Sequence, residues 1–178
     1  MRSEPLENLS VRRAQPSDID RVLELARRVH ESGVPPWRDP ALLTRHDQKV
    51  ISSAVAGMAD VPLVLVATQR QAPVGFIHLC ELVDYYAERP HGHVVDLAVD
   101  AACQGRGVGR RLLEAAEAWA RYRGYPWLTL SVFETNTRAR TLYERSGFGT
   151  DMVRMVRNLG AQEPLGPSLP PLGARRRA

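Results

Sequence analysis

Cysteine is scarce in this chain: Cys80 and Cys103 are the only two in 178 residues. Two thiols at unrelated positions make neither a disulfide framework nor a metal site, so no metal is expected. Long apolar runs are missing too, and none approaches the roughly 20 residues that cross a bilayer. The N-terminus, Met1-Arg2-Ser3-Glu4-Pro5, lacks the apolar centre of an export signal. The expectation is a cytoplasmic protein that does not enter a membrane. Aromatic residues make up 6% of the chain and do not alternate with basic residues into a platform for stacking bases. No zinc-finger or recognition-helix pattern is present. A net charge of +4 and a pI near 9.5 therefore do not point to nucleic acid. Much of the positive excess is local, in Arg175, Arg176 and Arg177 at the end and in Arg106, Arg110 and Arg111. That distribution suits a small anionic ligand better.

What is there is the composition of a globular domain. Hydrophobic residues account for 44% and charged ones for 25%, and the length fits one domain with a sizeable core. Residues 1–160 read as that domain. Residues 161–178 are rich in proline and glycine, lack periodicity and end in arginines, and read as a flexible tail. Residues 9–13 can form a short strand. Pro16, Ser17 and Asp18 open a helix with Ile19, Val22, Leu23, Ala26 and Val29 at helical spacing, running to about residue 31. Asp39 and Pro40 start a second helix, which lasts to about residue 58. Residues 63–67 are a buried strand, 69–72 a tight reversal, 74–79 the antiparallel return and 84–92 a polar, aromatic loop. Residues 94–99 are the next strand, followed by a helix over 108–120. Residues 126–133 are a strand parallel to 94–99, through a right-handed crossover. A short helix capped by Thr135 or Asn136 carries Ala139, Leu142 and Tyr143, and residues 151–157 alternate as a last antiparallel strand. This order predicts an α/β fold, one mixed sheet with helices on both faces.

The chain is organised around residues 93–113: a strand, a glycine-spaced turn and the start of an amphipathic helix. Glycines let backbone N–H groups approach an anion, and the first turn of a helix offers unpaired N–H groups and partial positive charge. The segment is thus suited to a phosphorylated cofactor. A dinucleotide fold wants Gly-x-Gly-x-x-Gly after the first strand, whereas Gly105, Gly107 and Gly109 come late and alternate. A nucleoside-triphosphatase loop wants Gly-Lys-Ser/Thr, which is absent.

Gln104-Gly105-Arg106-Gly107-Val108-Gly109 resembles the Gln/Arg-x-x-Gly-x-Gly/Ala signature of the GNAT superfamily of N-acetyltransferases. Leu97-Ala98-Val99 before it, Leu112-Leu113 after it, and the later block from Asn136 through Tyr143 to Gly147-Phe148 are similar to the same superfamily. The likeness covers residues 11–159. It implies the GNAT fold and acetyl-CoA as co-substrate, with a primary amine as acceptor, and it is compatible with a homodimer. It also implies site residues. Backbone groups of Leu97, Ala98 and Val99 would pair with the pantetheine arm. Gln104, Gly105, Arg106, Gly107, Val108, Gly109 and Arg110 would hold the pyrophosphate. Asn136 and Tyr143 would bracket the thioester. The resemblance further implies that the two parallel strands splay at a bulge, which the sequence does not itself display.

The reaction implied is direct attack by an amine on a thioester. An amine with a pKa near that of lysine, about 10.4, is mostly protonated at neutral pH, so a base or a water chain must take a proton. By the resemblance, Tyr143, which holds the family's usual position seven residues after Asn136, is the candidate acid for the leaving thiolate. Its other reading is a core aromatic. Some members of the superfamily carry Glu or His eleven residues before the motif glutamine, so the resemblance makes His93 the first candidate base, with surface strand histidine as the alternative. Asp96, mid-strand among apolar neighbours, needs a partner and is the second. Glu81 is a third. A backbone N–H near Leu97 or Ala98 would serve the oxyanion. Pro35, Pro36 and Trp37, and the loop with Asp84, Tyr85, Tyr86 and Glu88, are placed either to meet an acceptor or simply to connect elements. Ribosomal-protein acetyltransferases of this superfamily carry Glu five residues before the motif asparagine, where this chain has Ser131. The expected function is transfer of an acetyl group to a small-molecule amine. The alternatives are a protein N-terminal or lysine acetyltransferase, and a non-catalytic acyl-CoA-binding module.

Overall fold

A computed structural model describes residues 8–30, 33–57 and 61–158; the tail expected at 161–178 lies outside them. The strands are β1 (Ser10–Arg13), β2 (Leu63–Gln69), β3 (Ala72–Val83), β4 (Pro90–Val99) and β5 (Leu128–Leu130). The α-helices are α1 (Ile19–Ala26), α2 (Pro40–Ala56), α3 (Val108–Tyr122) and α4 (Thr137–Arg145). The sheet runs β1-β2-β3-β4-β5, antiparallel throughout except for the β4/β5 pair. That exception follows from connection length: β2 to β3 turns back in two residues, while β4 reaches β5 only by way of α3. Among the described residues no helix is long and apolar enough to cross a membrane.

Side-chain alternation divides the sheet between two apolar layers. Val64, Val66, Phe76 and Ala98 meet α1 and α2, while Leu63, Ala67, Ile77, Leu79 and Val94 meet α3. On α3, Val108, Leu112, Leu113 and Ala116 recur at helical spacing and are buried. Covering a Leu or Phe in this way contributes about 2 kcal/mol per side chain. Helices thus lie on both faces, as the element order predicts.

Three expectations need correction. The first helix is α-helical only to Ala26 and finishes as a 3-10 turn, Arg27–His30. The loop expected over 84–92 shrinks to 84–89, because β3 and β4 extend into it; Asp84 closes it by accepting hydrogen bonds from the Tyr86 and Ala87 amides. The last strand is absent: residues 151–157 are exposed and carry no strand. The physical reason lies in β5, which has three residues instead of the eight expected and offers too short an edge to template a neighbour.

The feature that positions the site is a slip in register between β3 and β4. Below it Leu79 faces Val94, and above it His78 faces Asp96, so Val95 has no partner. This is a β-bulge, and it reverses which face the following residues occupy. Without it Asp96 would share the α3 face with Val94. With it Asp96 joins His78 on the α1/α2 side, together with His93 opposite Cys80 and His91 opposite Leu82.

Candidate functional site

The parallel ladder between β4 and β5 has three rungs, Gly92 with Leu128, His93 with Thr129 and Val94 with Leu130. Above Val94, β4 continues to Val99 while β5 has ended, so the sheet opens at the bulge. In the antiparallel ladder only every second residue turns its backbone groups toward the partner strand. The Asp100 amide donates to the Val74 carbonyl at 2.8 Å, so in this register Ala98 also faces β3, and Leu97 and Val99 face the gap. The site thus offers the backbone groups of Leu97 and the N–H of Val99 as an open edge, the Val99 carbonyl being taken by Gln104. The Ala98 backbone, expected to join them, is committed to β3, so of the two amides expected near an oxyanion only Leu97 N–H points into the gap.

Above the gap the chain enters the glycine turn. Asp100 caps a 3-10 turn, Ala101–Cys103, by accepting from the Ala102 amide at 2.9 Å, and its other oxygen takes the Arg21 guanidinium of α1. The Ala102 amide first and Arg21 next hold the Asp100 carboxyl below its ordinary pKa. Gln104 donates from Nε2 to the Val99 carbonyl at 3.3 Å, tying the turn to the strand. Gly105 (φ 73°) and Gly107 (φ 85°) take left-handed conformations that an L side chain resists. Gly107 caps α3, so the amides that follow start the helix without intrahelical acceptors. Arg110 and Arg111 flank them, both paired with Glu114 on the exposed side.

The α1/α2 side of the opening is polar. Asp96, 5% exposed, accepts from His78 Nδ1 at 3.1 Å, and His78 is 1% exposed. His93 Nδ1 lies 2.8 Å from the Thr129 hydroxyl on β5. Burial first and His91 next lower the His93 pKa, against a smaller raising effect of Asp96. A neutral imidazole at neutral pH is the consequence. Cys80 is held above the usual thiol range, chiefly by burial and secondly by Asp96, and so is no nucleophile. Glu81 faces the other side of the sheet, where Tyr125 donates to it and Arg123 lies 3.6 Å away, so it is removed as a base.

Tyr143 approaches from the opposite layer. Half-buried on α4, it packs against the apolar cluster under α3 and edge-on against Phe148, with ring centroids 6.0 Å apart. Burial, and secondarily the charge of Asp96, push its phenol up to about 12. The side chain is thus packed as a core aromatic, and its phenol keeps its proton at neutral pH. Asn136 is the cap of α4, its Oδ1 accepting from the Ala139 amide at 3.1 Å. Its neighbour Thr135 donates to the Gly33 carbonyl at 2.6 Å. A Cβ on Gly33 would fall 2.6 Å from that of Asn136, and Arg38 lies over the Phe133 ring at 5.5 Å. The 33–38 loop is thereby clamped to the start of α4.

Asp96 thus lies near enough to act electrostatically on both His93 and Tyr143, which come from opposite faces of the sheet. Such an arrangement can bind an extended ligand along β4, hold an anion at α3, and both take and give a proton. His78, Asp100 and Thr129 hold groups of this region in place, and sequence reasoning does not single them out. Asp100 has a local signal, an acid directly before the turn; His78 and Thr129 matter only through cross-strand register.

Comparison with known proteins agrees. A model of the acetyltransferase (GNAT) family matches residues 19–148. A mycothiol acetyltransferase of Jonesia denitrificans is 38% identical over 96 residues, which is 52% of this chain and 27% of that protein. A peptidyl-lysine N-acetyltransferase, YjaB, of Salmonella typhimurium is 32% identical over 108 residues, 61% of this chain and 64% of that protein. The chain thus spans about a quarter of the first relative and just under two thirds of the second. Among solved structures, aminoglycoside N-acetyltransferase AAC(6')-Iy in complex with CoA superposes with a TM-score of 0.64 at 18% identity, covering 86% of this chain and 96% of that one. That is a likeness of fold.

Proposed function

The chain belongs to the acetyltransferase (GNAT) family, and from that premise we propose that it transfers an acetyl group from acetyl-CoA to a primary amine of a small molecule. The half-paired edge of β4 carries this reading. Leu97 N–H and C=O and Val99 N–H are turned, strand-like, to a gap that no β5 residue fills, and the same edge leads straight to the glycine turn. The residues fit the co-substrate: the arm would run along Leu97 and Val99, and the pyrophosphate would meet the amides of Gly105 to Arg110. Bound there, acetyl-CoA supplies an activated acyl group on a thioester.

The chain's own residues do the rest. Asp96 attracts the acceptor's ammonium group, and neutral His93 takes its proton. Leu97 N–H meets the developing oxyanion. Tyr143 serves the departing sulfur. Moving a proton outright from a phenol near 12 to a thiolate of ordinary pKa about 8.5 is uphill by roughly 5 kcal/mol. Tyr143 therefore donates a hydrogen bond and parts with its proton only as the acylated nitrogen gives one up.

The 33–38 loop, held against the start of α4, is read as one wall of the acceptor side, a reading that suits a small acceptor. The test is thiol release from acetyl-CoA with a panel of small amines and lysine peptides. Turnover with small amines above hydrolysis supports the reading. Turnover confined to peptides shifts it to a protein acetyltransferase, and CoA binding without turnover shifts it to a binding module.

A further inference from the structure

We propose that Thr129 is a positioning residue that fixes the tautomer of His93, so that the ring presents the Nε2 lone pair to the acceptor. This rests on the reading of His93 as base. Thr129 and His93 form the second rung of the β4/β5 ladder, one rung below the point where the strands part. The Thr129 hydroxyl lies 2.8 Å from His93 Nδ1 and 3.4 Å from the Gly92 carbonyl. A hydroxyl has one proton and can accept as well. Of the two ways to place that proton, only one uses both contacts: Nδ1–H donates to Oγ1, and the hydroxyl donates on to the carbonyl. The reverse, with the hydroxyl donating to Nδ1, leaves the Gly92 contact empty and puts a proton on Nε2, where a base needs a lone pair.

Other groups on that face do not compete for Nδ1. Asp96 is engaged by His78, Cys80 holds its proton, and His91 packs on Trp127 with centroids 6.0 Å apart. Nε2 of His93 has no partner among the described residues, and it is not one of the sealed, unpartnered polar atoms. In the step proposed, the ammonium N–H bond breaks, Nε2 gains that proton, and the amine nitrogen keeps the electron pair with which it attacks. The ring becomes imidazolium, with Nδ1–H still on Thr129. Solvent then takes the Nε2 proton.

The test combines two isosteric or near-isosteric variants with 15N spectroscopy of the histidine ring at a pH where His93 is neutral. In the unmodified protein and in Thr129→Ser, the expected spectrum has a protonated Nδ1 and a lone-pair Nε2. Thr129→Val, which keeps shape and loses the hydroxyl, is expected to move the ring toward protonated Nε2. Its kcat should fall about tenfold, the worth of one good hydrogen bond, with the KM for acetyl-CoA unchanged and with Thr129→Ser restoring kcat to within about twofold. A protonated Nε2 in the unmodified protein, a Thr129→Val spectrum identical to it, or a tautomer that moves with no loss of kcat would each overturn the proposal. His93→Ala separates the two layers of inference: full turnover in that variant removes the base assignment itself, whatever tautomer the spectrum reports.

Discussion

The two faces of the sheet, built from the same strands, differ in kind. Toward α3, β3 and β4 present Ile77, Leu79 and Val94, all closely buried. Toward α1 and α2 the same stretches present His78, Cys80, His91, His93 and Asp96. The apolar face anchors α3, and with it the glycine turn; the polar face holds the groups proposed to bind and deprotonate the acceptor. One extra residue, Val95, sets the boundary between them. The difference teaches that the proposed donor site is made mostly of backbone on a rigid layer, whereas the acceptor side is made of side chains placed by register.

Breaking the buried pair on the polar face should disturb this division most severely. His78→Leu leaves the buried Asp96 carboxyl without its partner. Stranding one member of a buried pair costs about 3 kcal/mol, so denaturant unfolding should show a loss of that size and turnover should fall with it. A variant of unchanged stability would mean that His78 does not hold Asp96 in place. Tyr143→Phe probes the gap between the layers. Its kcat should drop about 100-fold, the low end of general acid catalysis, with CoA affinity intact; unchanged kcat removes the phenol from the reaction. Gly107→Ala touches the donor side alone. No atom obstructs a Cβ there, so only the left-handed backbone resists, at about 1 kcal/mol. CoA affinity measured by calorimetry should weaken about fivefold, and an unaltered affinity would sever the turn from the ligand.

The smallest effect concerns His91. As a base, His93 loses activity as pH falls through its pKa, which burial and His91 depress below the ordinary value of about 6.5. His91→Gln lifts the second of those causes. The acid limb of the rate profile should therefore move upward, by less than about one pH unit. A limb that moves down, or that survives in His93→Ala, would assign it to another group.

The same division separates what is legible in the amino-acid sequence from what is not. The glycine turn, α3 and the buried strands announce themselves locally, through spacing and period, and so does the mixed sheet with helices on both faces. Tyr143 and Asn136 stand out through the family resemblance, and Asn136 is placed as the cap of α4. The polar face is only half legible. His93 and Asp96 are conspicuous as polar residues in an apolar strand, but Val95 looks like any other strand valine, and nothing in the sequence reveals that it is the unpaired one. His78 and Thr129 acquire meaning solely from the residues across from them. The expected strand at 151–157 fails for the complementary reason: its alternation is real, yet a strand needs an edge, and three residues of β5 do not supply one.

The most direct test of the open edge is amide hydrogen exchange along β4 with and without CoA. Ala98 and Asp100 face β3 and should exchange slowly in both states. Leu97 and Val99 face the gap and should exchange fast in the free protein, then slow by at least about tenfold at saturating CoA, the signature of a ligand that takes the place of a strand. Protection confined to residues 105–110, with Leu97 and Val99 still fast, would contradict it.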